Sequence, residues 1–397
     1  CSGRHGSPAE NESEQSGAEA AAAPVRDLAY RDETAANLRA QIRAGKYTEV
    51  KPLAEALLAD FPGDSVAKNL IFSSTDLVPY EGKVEHIFFH PLIAYKERAM
   101  DGKGNDDGQD MYMVTVKEFN ATIAQMYENG YVLTSMHDLF SFTTNPDGTV
   151  TGKKKPVYLP RGKKPYILSI DDMNYYEYMI EDGQVWKLVF DENGEVAAYA
   201  KNLDGIGEVR RDNAIVPLID DFCKAHPDAN FNGAKGLIGL TGYEGVLGYR
   251  TNSIRYDNYV AEQQAVAPII QKLKATGWDF ASHSQGHRHT NSSSFDKIRE
   301  DTDRWAFEVE PLVGKTPIYI YPFGETVKDN DPKLAYFRKM GFAIFCGVGR
   351  TPYLEETKAG FLKMDRRAID GTTLKSGVNK DLLDAARIID KSYRKWA

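Results

Sequence analysis

The sequence contains no apolar run of about 18 residues, the length that a membrane-spanning helix needs. Positive charge is also in deficit, since 57 acidic and 49 basic residues give a net charge of -8. Because nucleic-acid binding requires a basic face, this balance argues against nucleic acid as a partner. Cysteine is rare, with three residues, and Cys223 and Cys346 could form one disulfide or remain two buried thiols.

The third cysteine is Cys1, and a stretch rich in Ser, Gly, Glu, Gln and Ala follows it. This pattern resembles a mature bacterial lipoprotein, in which the first cysteine carries lipid and a polar tether follows. We therefore expect residues 1–24 to be a disordered tether, with lipid on Cys1 holding the protein at the extracellular face of the bacterial membrane. A sequence boundary that happens to fall on a cysteine is the alternative.

Residues 25–78 carry apolar side chains at helical spacing, with breaks at 44–46 and 61–64. Residues 44–64 resemble one tetratricopeptide unit. Because one such unit cannot bury its own apolar face, we expect this helical segment to pack on the main domain or on a partner. A helical spacer is a better interpretation than a peptide-binding module.

From residue 79 to residue 397, predicted strands alternate with predicted helices, which indicates an α/β fold with a parallel sheet or barrel. The predicted strands are 84–89, 131–134, 167–170, 236–240, 278–282, 318–321 and 342–345. The predicted helices are 116–129, 214–226, 260–276 and 332–340. Insertions near 141–165 and 173–235 interrupt the alternation. We predict a loop in the first, and in the second a β-hairpin of 186–190 and 196–200 with an Asn-Gly turn.

Two of the apolar strands end in residues with metal-ligand chemistry: Asp171 and Asp172 after one, His283 and His287 after the other. The carboxyl ends of barrel strands meet at one rim, and histidines four apart share one face of a helical turn. Two imidazoles with Asp172 would give three ligands of a zinc-type site, leaving Asp171 to take a proton from water. Each pair alone is more often solvated surface, but both at strand ends favour the metal site.

Three segments together resemble the polysaccharide deacetylases, that is, the NodB-homology domain of carbohydrate esterase family four. Residues 169–172, Ser-Ile-Asp-Asp, resemble the family's Thr-Phe-Asp-Asp-Gly motif. Residues 283–287, His-Ser-Gln-Gly-His, match its His-Ser/Thr-x-x-His motif. Residues 321–324, Tyr-Pro-Phe-Gly, resemble its Arg-Pro-Pro-Tyr-Gly stretch. Order and spacing agree, and the resemblance covers roughly residues 80 to 370.

The resemblance implies a distorted (β/α)7 barrel and metal-dependent removal of acetyl groups from glycans. By the same resemblance, Asp171 is the general base, and Asp172, His283 and His287 hold a divalent metal, for which Zn²⁺ is the first choice. The backbone N–H of Phe323 would donate to the developing oxyanion.

The sequence also departs from the family pattern. The arginine that pairs with the base in many members is Ile320 here, and Arg366 or Arg367 is the candidate replacement. No histidine follows His289, so the family's late Leu-x-His has no match and the general acid is unassigned. His90 could serve as that acid or be a structural histidine, and we favour the structural role.

The predicted protein is thus a metal-dependent hydrolase that removes acetyl groups from N-acetylated cell-surface polysaccharide, either peptidoglycan or poly-N-acetylglucosamine. Two alternatives stay open. One is a glycan-binding or scaffold lipoprotein that keeps the metal site without turnover. The other is an esterase that clears O-acetyl groups from xylan-like glycans.

Overall fold

The structure, a computed structural model, describes residues 26–397, so the predicted tether and the lipid on Cys1 lie outside the described residues. The strands are β1 (Leu77–Pro79), β2 (Glu85–Phe89), β3 (Tyr131–Leu133), β4 (Phe140–Thr144), β5 (Val150–Lys154), β6 (Tyr158–Pro160), β7 (Lys164–Ile170), β8 (Lys187–Phe190), β9 (Val196–Lys201), β10 (Gly207–Arg210), β11 (Leu237–Leu240), β12 (Asp279–Ser282), β13 (Ile318–Ile320), β14 (Ile344–Val348), β15 (Leu354–Glu356) and β16 (Leu362–Ala368). The helices are α1 (Leu28–Arg43), α2 (Tyr47–Asp60), α3 (Ser65–Phe72), α4 (Lys96–Ala99), α5 (Asp106–Tyr112), α6 (Val116–Glu128), α7 (Met136–Leu139), α8 (Ile215–Ala225), α9 (Tyr259–Ala275), α10 (Phe295–Glu308), α11 (Glu310–Val313), α12 (Pro332–Lys339) and α13 (Gly371–Ser376).

Seven parallel strands close into a barrel, which confirms the predicted fold class. Their order is β11-β12-β13-β14-β16-β2-β7, and β7 pairs again with β11 to complete the ring. The ring is irregular: β12 and β13 share a single registered pair, Ser282 with Tyr319, whereas β14 and β16 share five. Within residues 26–397, no helix has the length and apolar composition needed to cross a bilayer.

Side chains alternate between the two faces of each strand, so every second residue points into the barrel interior. Inward-facing side chains from β7, β11, β12, β13, β14 and β16 form a buried cluster: Ile167, Leu237, Ala281, Ile318, Ile320, Ile344, Cys346, Leu362 and Met364. Residues of α7 and the start of β4 pack against the same cluster. The opposite faces of the strands bury a larger core against the surrounding helices.

One strand of the ring differs from the prediction. Residues 131–133 do form a strand, but β3 pairs with the first half of β7, at Lys164–Tyr166, and lies outside the ring. The second half of the same edge of β7 pairs with β11. The length of β7 thus allows it to pair with β3 and then with β11. The seventh barrel strand is β16, which joins β14 to β2. The sequence pattern did not indicate this strand, because three basic residues and one acidic residue interrupt its apolar alternation.

The predicted loop at 141–165 is also wrong. This segment contains most of the antiparallel hairpin β4–β5, with a turn at residues 145–149, and β6, which pairs with β1. The strands are short and partly exposed, so composition indicated a loop. The hairpin predicted in the second insertion is present as β8–β9, and β10 adds a third strand to it.

Helices α1, α2 and α3 pack together and against the barrel domain rather than standing free. Their buried side chains share one cluster with Val132, Leu159 and Phe231 of the barrel domain. The two cysteines of the described chain, Cys223 and Cys346, are buried and free, so the disulfide alternative is wrong.

Candidate metal centre

The inward-facing columns of the barrel change from apolar to polar as they reach the carboxyl ends of the strands. On β7 the column runs Ile167, Ser169 and then Asp171, and on β12 it runs Ala281 and then His283. Because alternate residues of a strand share one face, the strands that fill the interior also carry these two side chains to its rim. The side chains at the rim are therefore the next residues of the same inward-facing columns that form the core.

Asp172, His283 and His287 come together at this rim. One ligand atom from each lies within 4.8 Å of the others. The Nδ1 atom of His283 lies 3.0 Å from the carbonyl oxygen of Ile320, and because a carbonyl can only accept, Nδ1 carries the proton. The Nε2 lone pair of His283 is thus left for the centre, 3.9 Å from an oxygen of Asp172. A hydrogen bond that fixes the tautomer in this way is typical of metal-binding histidines.

His287 lies beside His283, with ring centroids 4.8 Å apart. Burial lowers the pKa of His287 to about 4, which Asp172 opposes and His283 reinforces. The imidazole is therefore neutral at pH 7, the form in which histidine binds metal ions.

The backbone around the centre is held in an uncommon conformation. Eight non-glycine residues of the described chain have positive φ, and five of them lie in the segments that form this rim: Asp172, Tyr175, Ser284, His287 and Phe323. Left-handed backbone costs an L-residue roughly 1 to 2 kcal/mol. Such a concentration of strain at a single rim is a feature of functional sites.

Arg366 holds Asp171 in a two-point ion pair. Its guanidinium donates to Oδ1 at 2.7 Å and to Oδ2 at 3.0 Å, and both side chains are buried. Burial alone would raise the pKa of Asp171, but Arg366 and then His283 outweigh it, so the pKa lies below its ordinary value. Asp171 is therefore ionised at neutral pH. Of the two predicted arginines, Arg366 supplies the charge, while Arg367 pairs with Glu85 and Asp381.

Behind this pair lies a second buried layer. Ser169 accepts from the Arg366 guanidinium at 3.2 Å, and its hydroxyl oxygen is 2.8 Å from Nε2 of His86. The guanidinium also covers the ring of Phe88, 4.0 Å from its centroid. These contacts fix the plane of the guanidinium and, through it, the orientation of Asp171.

The loop after Asp172 orients that carboxylate. The hydroxyl of Tyr176 donates to Oδ1 of Asp172 at 2.7 Å and lies 2.6 Å from the hydroxyl of Thr241. Asn174, fully buried, donates to the carbonyl of Thr241 and accepts from its N–H. The loop is thus tied to the end of β11, and one oxygen of Asp172 is committed to Tyr176.

Three further residues border the centre. His90 follows β2 on the inward-facing column of His86 and places Nε2 3.8 Å from an oxygen of Asp172, so it faces the centre. The structural role that we favoured for it stays a prediction. Phe323 lies with its ring centroid 4.4 Å from that of His287. His289 stacks parallel to Phe323, with ring centroids 3.9 Å apart, and contacts Glu325 through Nδ1.

The donor set fits a divalent cation of the zinc type. It offers two neutral imidazoles and one carboxylate, which is the ligand set of many hydrolytic zinc centres, and three protein ligands leave a position open. Every predicted site residue is therefore near the centre, and the roles given to them, as base, metal ligands and oxyanion donor, stay predictions. Sequence reasoning missed Tyr176, for which no local signal exists, because its contact depends on the fold of the loop.

No protein-family model matches the chain, and no curated protein matches it. Among solved structures, it is similar to the Streptococcus pyogenes deacetylase PplD in complex with acetate, with 15% sequence identity and a TM-score of 0.40. The similarity covers 77% of this chain and 100% of that chain. At this level of similarity, the comparison does not assign a reaction. The reaction is inferred from the side-chain geometry at the barrel rim.

Proposed function

We propose that this protein is a metal-dependent hydrolase that removes acetyl groups from N-acetylated cell-surface polysaccharide. Peptidoglycan and poly-N-acetylglucosamine are the leading substrates. The observation that carries the proposal is the convergence of Asp172, His283 and His287 beside an ionised, buried Asp171. The motif resemblance supplies the acetyl group as the group removed.

Each residue then has a role that its position supports. A divalent cation held by the three ligands would polarise a carbonyl group and make water more acidic. Asp171 accepts the proton of the attacking water, because each of its oxygens keeps a lone pair beyond the one that Arg366 occupies. Tyr176 holds Asp172 in position for binding the cation. The backbone N–H of Phe323 donates to the oxyanion that forms on the acetyl carbonyl.

The test is acetate release by the purified full chain loaded with Zn²⁺. We expect release from N-acetylated chitooligosaccharides, and we expect Asp171→Asn to abolish it while metal content stays at the wild-type level. Asp365→Asn is the matched control, since Asp365 alternates to the outer side of β16, and it should retain activity. Acetate release by Asp171→Asn at the wild-type rate would remove the assignment of the base.

One observation favours a second candidate, a protein that binds glycan without turnover. The sequence has no match to the histidine that protonates the leaving amine in the family it resembles. Metal and glycan binding without acetate release from any acetylated oligosaccharide would support this candidate. Release from acetylated xylan but not from chitooligosaccharides would support the O-acetyl esterase instead.

A further inference from the structure

Three tyrosines stack beside the metal centre. The ring of Tyr176 stacks with both of the others, with centroids 5.0 Å from Tyr243 at 18° and 6.0 Å from Tyr178 at 23°. Tyr176 is itself buried and donates to Asp172. The three rings therefore adjoin a proposed metal ligand, and we call them the tyrosine stack.

Tyr178 ends the tyrosine stack at the surface. Its side chain is 46% exposed, although one of its faces lies toward Tyr176. The rest of the ring is therefore open to a ligand, while stacking on Tyr176 holds it beside the centre.

The segment that carries Tyr178 is fixed in place. Residues 177–180 form a 3₁₀ turn, and the backbone N–H of Glu177 donates to Glu244. The carboxylate of Glu177 accepts from the hydroxyl of Tyr256 and from Arg255. Because the ring is already positioned, a ligand that stacks on it loses little to ordering of the protein.

A second exposed ring borders the centre at His287. Phe323 is 55% exposed and stacks on His289, and its ring also contacts that of His287. Aromatic surface thus flanks the three metal ligands both at Asp172 and at His287.

We propose that the tyrosine stack forms a subsite for a pyranose ring, with Tyr178 as the stacking face. The sugar bound there is a neighbour of the residue that carries the acetyl group, so the substrate is an oligomeric glycan and not a monosaccharide. This inference rests on the proposed function. Its physical basis is that the C–H face of a pyranose is flat and apolar and packs on an aromatic face, while its hydroxyls stay in water.

Binding is tested in the inactive Asp171→Asn background, so that the probe is not consumed. Tetra-N-acetylchitotetraose is titrated into the zinc-loaded full chain by calorimetry. We expect Tyr178→Ala to raise Kd by about five-fold, the loss of one aromatic contact, and Tyr178→Phe to stay within about two-fold because the ring remains. Tyr158→Ala, a partly exposed tyrosine that packs on Tyr47 of the helical segment, is the matched control and should not change Kd.

Kinetics on the active protein separate binding from chemistry. Tyr178→Ala should raise KM for the tetrasaccharide by about the same factor, with a smaller change in kcat. Metal content and melting temperature confirm that the variant is folded. An unchanged Kd and KM in Tyr178→Ala would overturn the subsite, as would the lack of saturable binding to the parent protein. A wild-type protein that releases no acetate but binds the probe through Tyr178 would retain the subsite and refute the reaction.

Discussion

Arg366 supplies the cationic partner of Asp171 from a strand that the sequence pattern did not indicate. In the family that the chain resembles, an arginine occupies the position of Ile320. Here the Ile320 side chain lies in the barrel interior. Arg366 follows Leu362 and Met364 on the inward-facing column of β16 and so reaches Asp171 from another strand. The alternation of residues 362–366 could have identified Arg366 over Arg367 from the sequence, had this segment been recognised as a strand.

We predict that Arg366→Met destabilises the protein by about 3 to 5 kcal/mol, because it leaves the buried Asp171 carboxylate without a partner. Arg366→Lys should cost less, since it keeps the charge but loses the two-point geometry. Urea unfolding of the metal-free proteins measures both. A loss of less than about 1 kcal/mol in Arg366→Met would mean that water or another group already compensates Asp171.

His86 gives a pH dependence whose sign follows from its burial. Burial, with help from Arg366, holds the pKa of His86 well below its ordinary value of 6.5, and its Nδ1 has no partner. Below pH 6.5 the unfolded chain therefore binds a proton at His86 that the folded chain does not bind. The contribution of His86 to the free energy of unfolding is complete above pH 6.5 and is lost as the pH falls toward the folded pKa.

From pH 7.5 to pH 5.5, His86 should account for a loss of about 1.4 kcal/mol of unfolding free energy. In His86→Gln, which keeps a nitrogen near Ser169 but does not titrate, the loss over this range should be smaller by that amount. Urea unfolding at the two pH values gives the comparison. Equal losses in the two proteins would show that His86 has the same pKa in the folded and unfolded chains.

At the level of elements, periodicity predicted helices α6, α8, α9 and α12 and six barrel strands close to their observed bounds. These elements have strong apolar faces, and their burial against one another decides their conformation. The alternation failed for β16, where charged side chains point outward or pair within the fold, and for β4 and β5, which are short. Helix α10 was missed as well, because polar residues dominate it.

The contact between α3 and the barrel domain includes one buried amide besides its apolar side chains. Asn69 donates to the carbonyls of Pro227 at 2.8 Å and Asn230 at 2.7 Å. We predict that Asn69→Leu, which leaves these carbonyls unpaired, costs about 1 to 3 kcal/mol and speeds proteolysis between α1 and α2. Lys68→Leu, at an exposed position of the same helix, is the control. Equal unfolding midpoints for the two variants would contradict the proposed importance of this contact.

Over the whole molecule, the sequence predicted that Asp172, His283 and His287 come together, because they follow buried strands and parallel strands bring their carboxyl ends to one rim. It could not predict Tyr176, Tyr178 or Tyr243 as neighbours. These residues lie on long loops whose course depends on left-handed backbone at Asp172 and Tyr175 and on the buried amide of Asn174. Contacts of this kind arise only when the complete barrel brings the loops together.

The metal centre should also stabilise the whole molecule. A cation that binds only the folded state adds about 4.1 kcal/mol when its free concentration is a thousand times Kd. We predict that Zn²⁺ raises the melting temperature of the wild-type protein and that chelation reverses the shift. His287→Ala should show little response to either treatment. An equal shift in that variant would place the cation elsewhere on the protein.

The ring of strands joins its first member to its last, since β2 at residues 85–89 pairs with β16 at residues 362–368. During synthesis, the barrel therefore cannot close until residues 362–368 have left the ribosome. Until then Asp171 has no cationic partner and the edges of β2 and β14 are open. A chain with such distant pairings folds slowly, so newly made molecules would depend on protection from aggregation for longer than helical proteins of equal length.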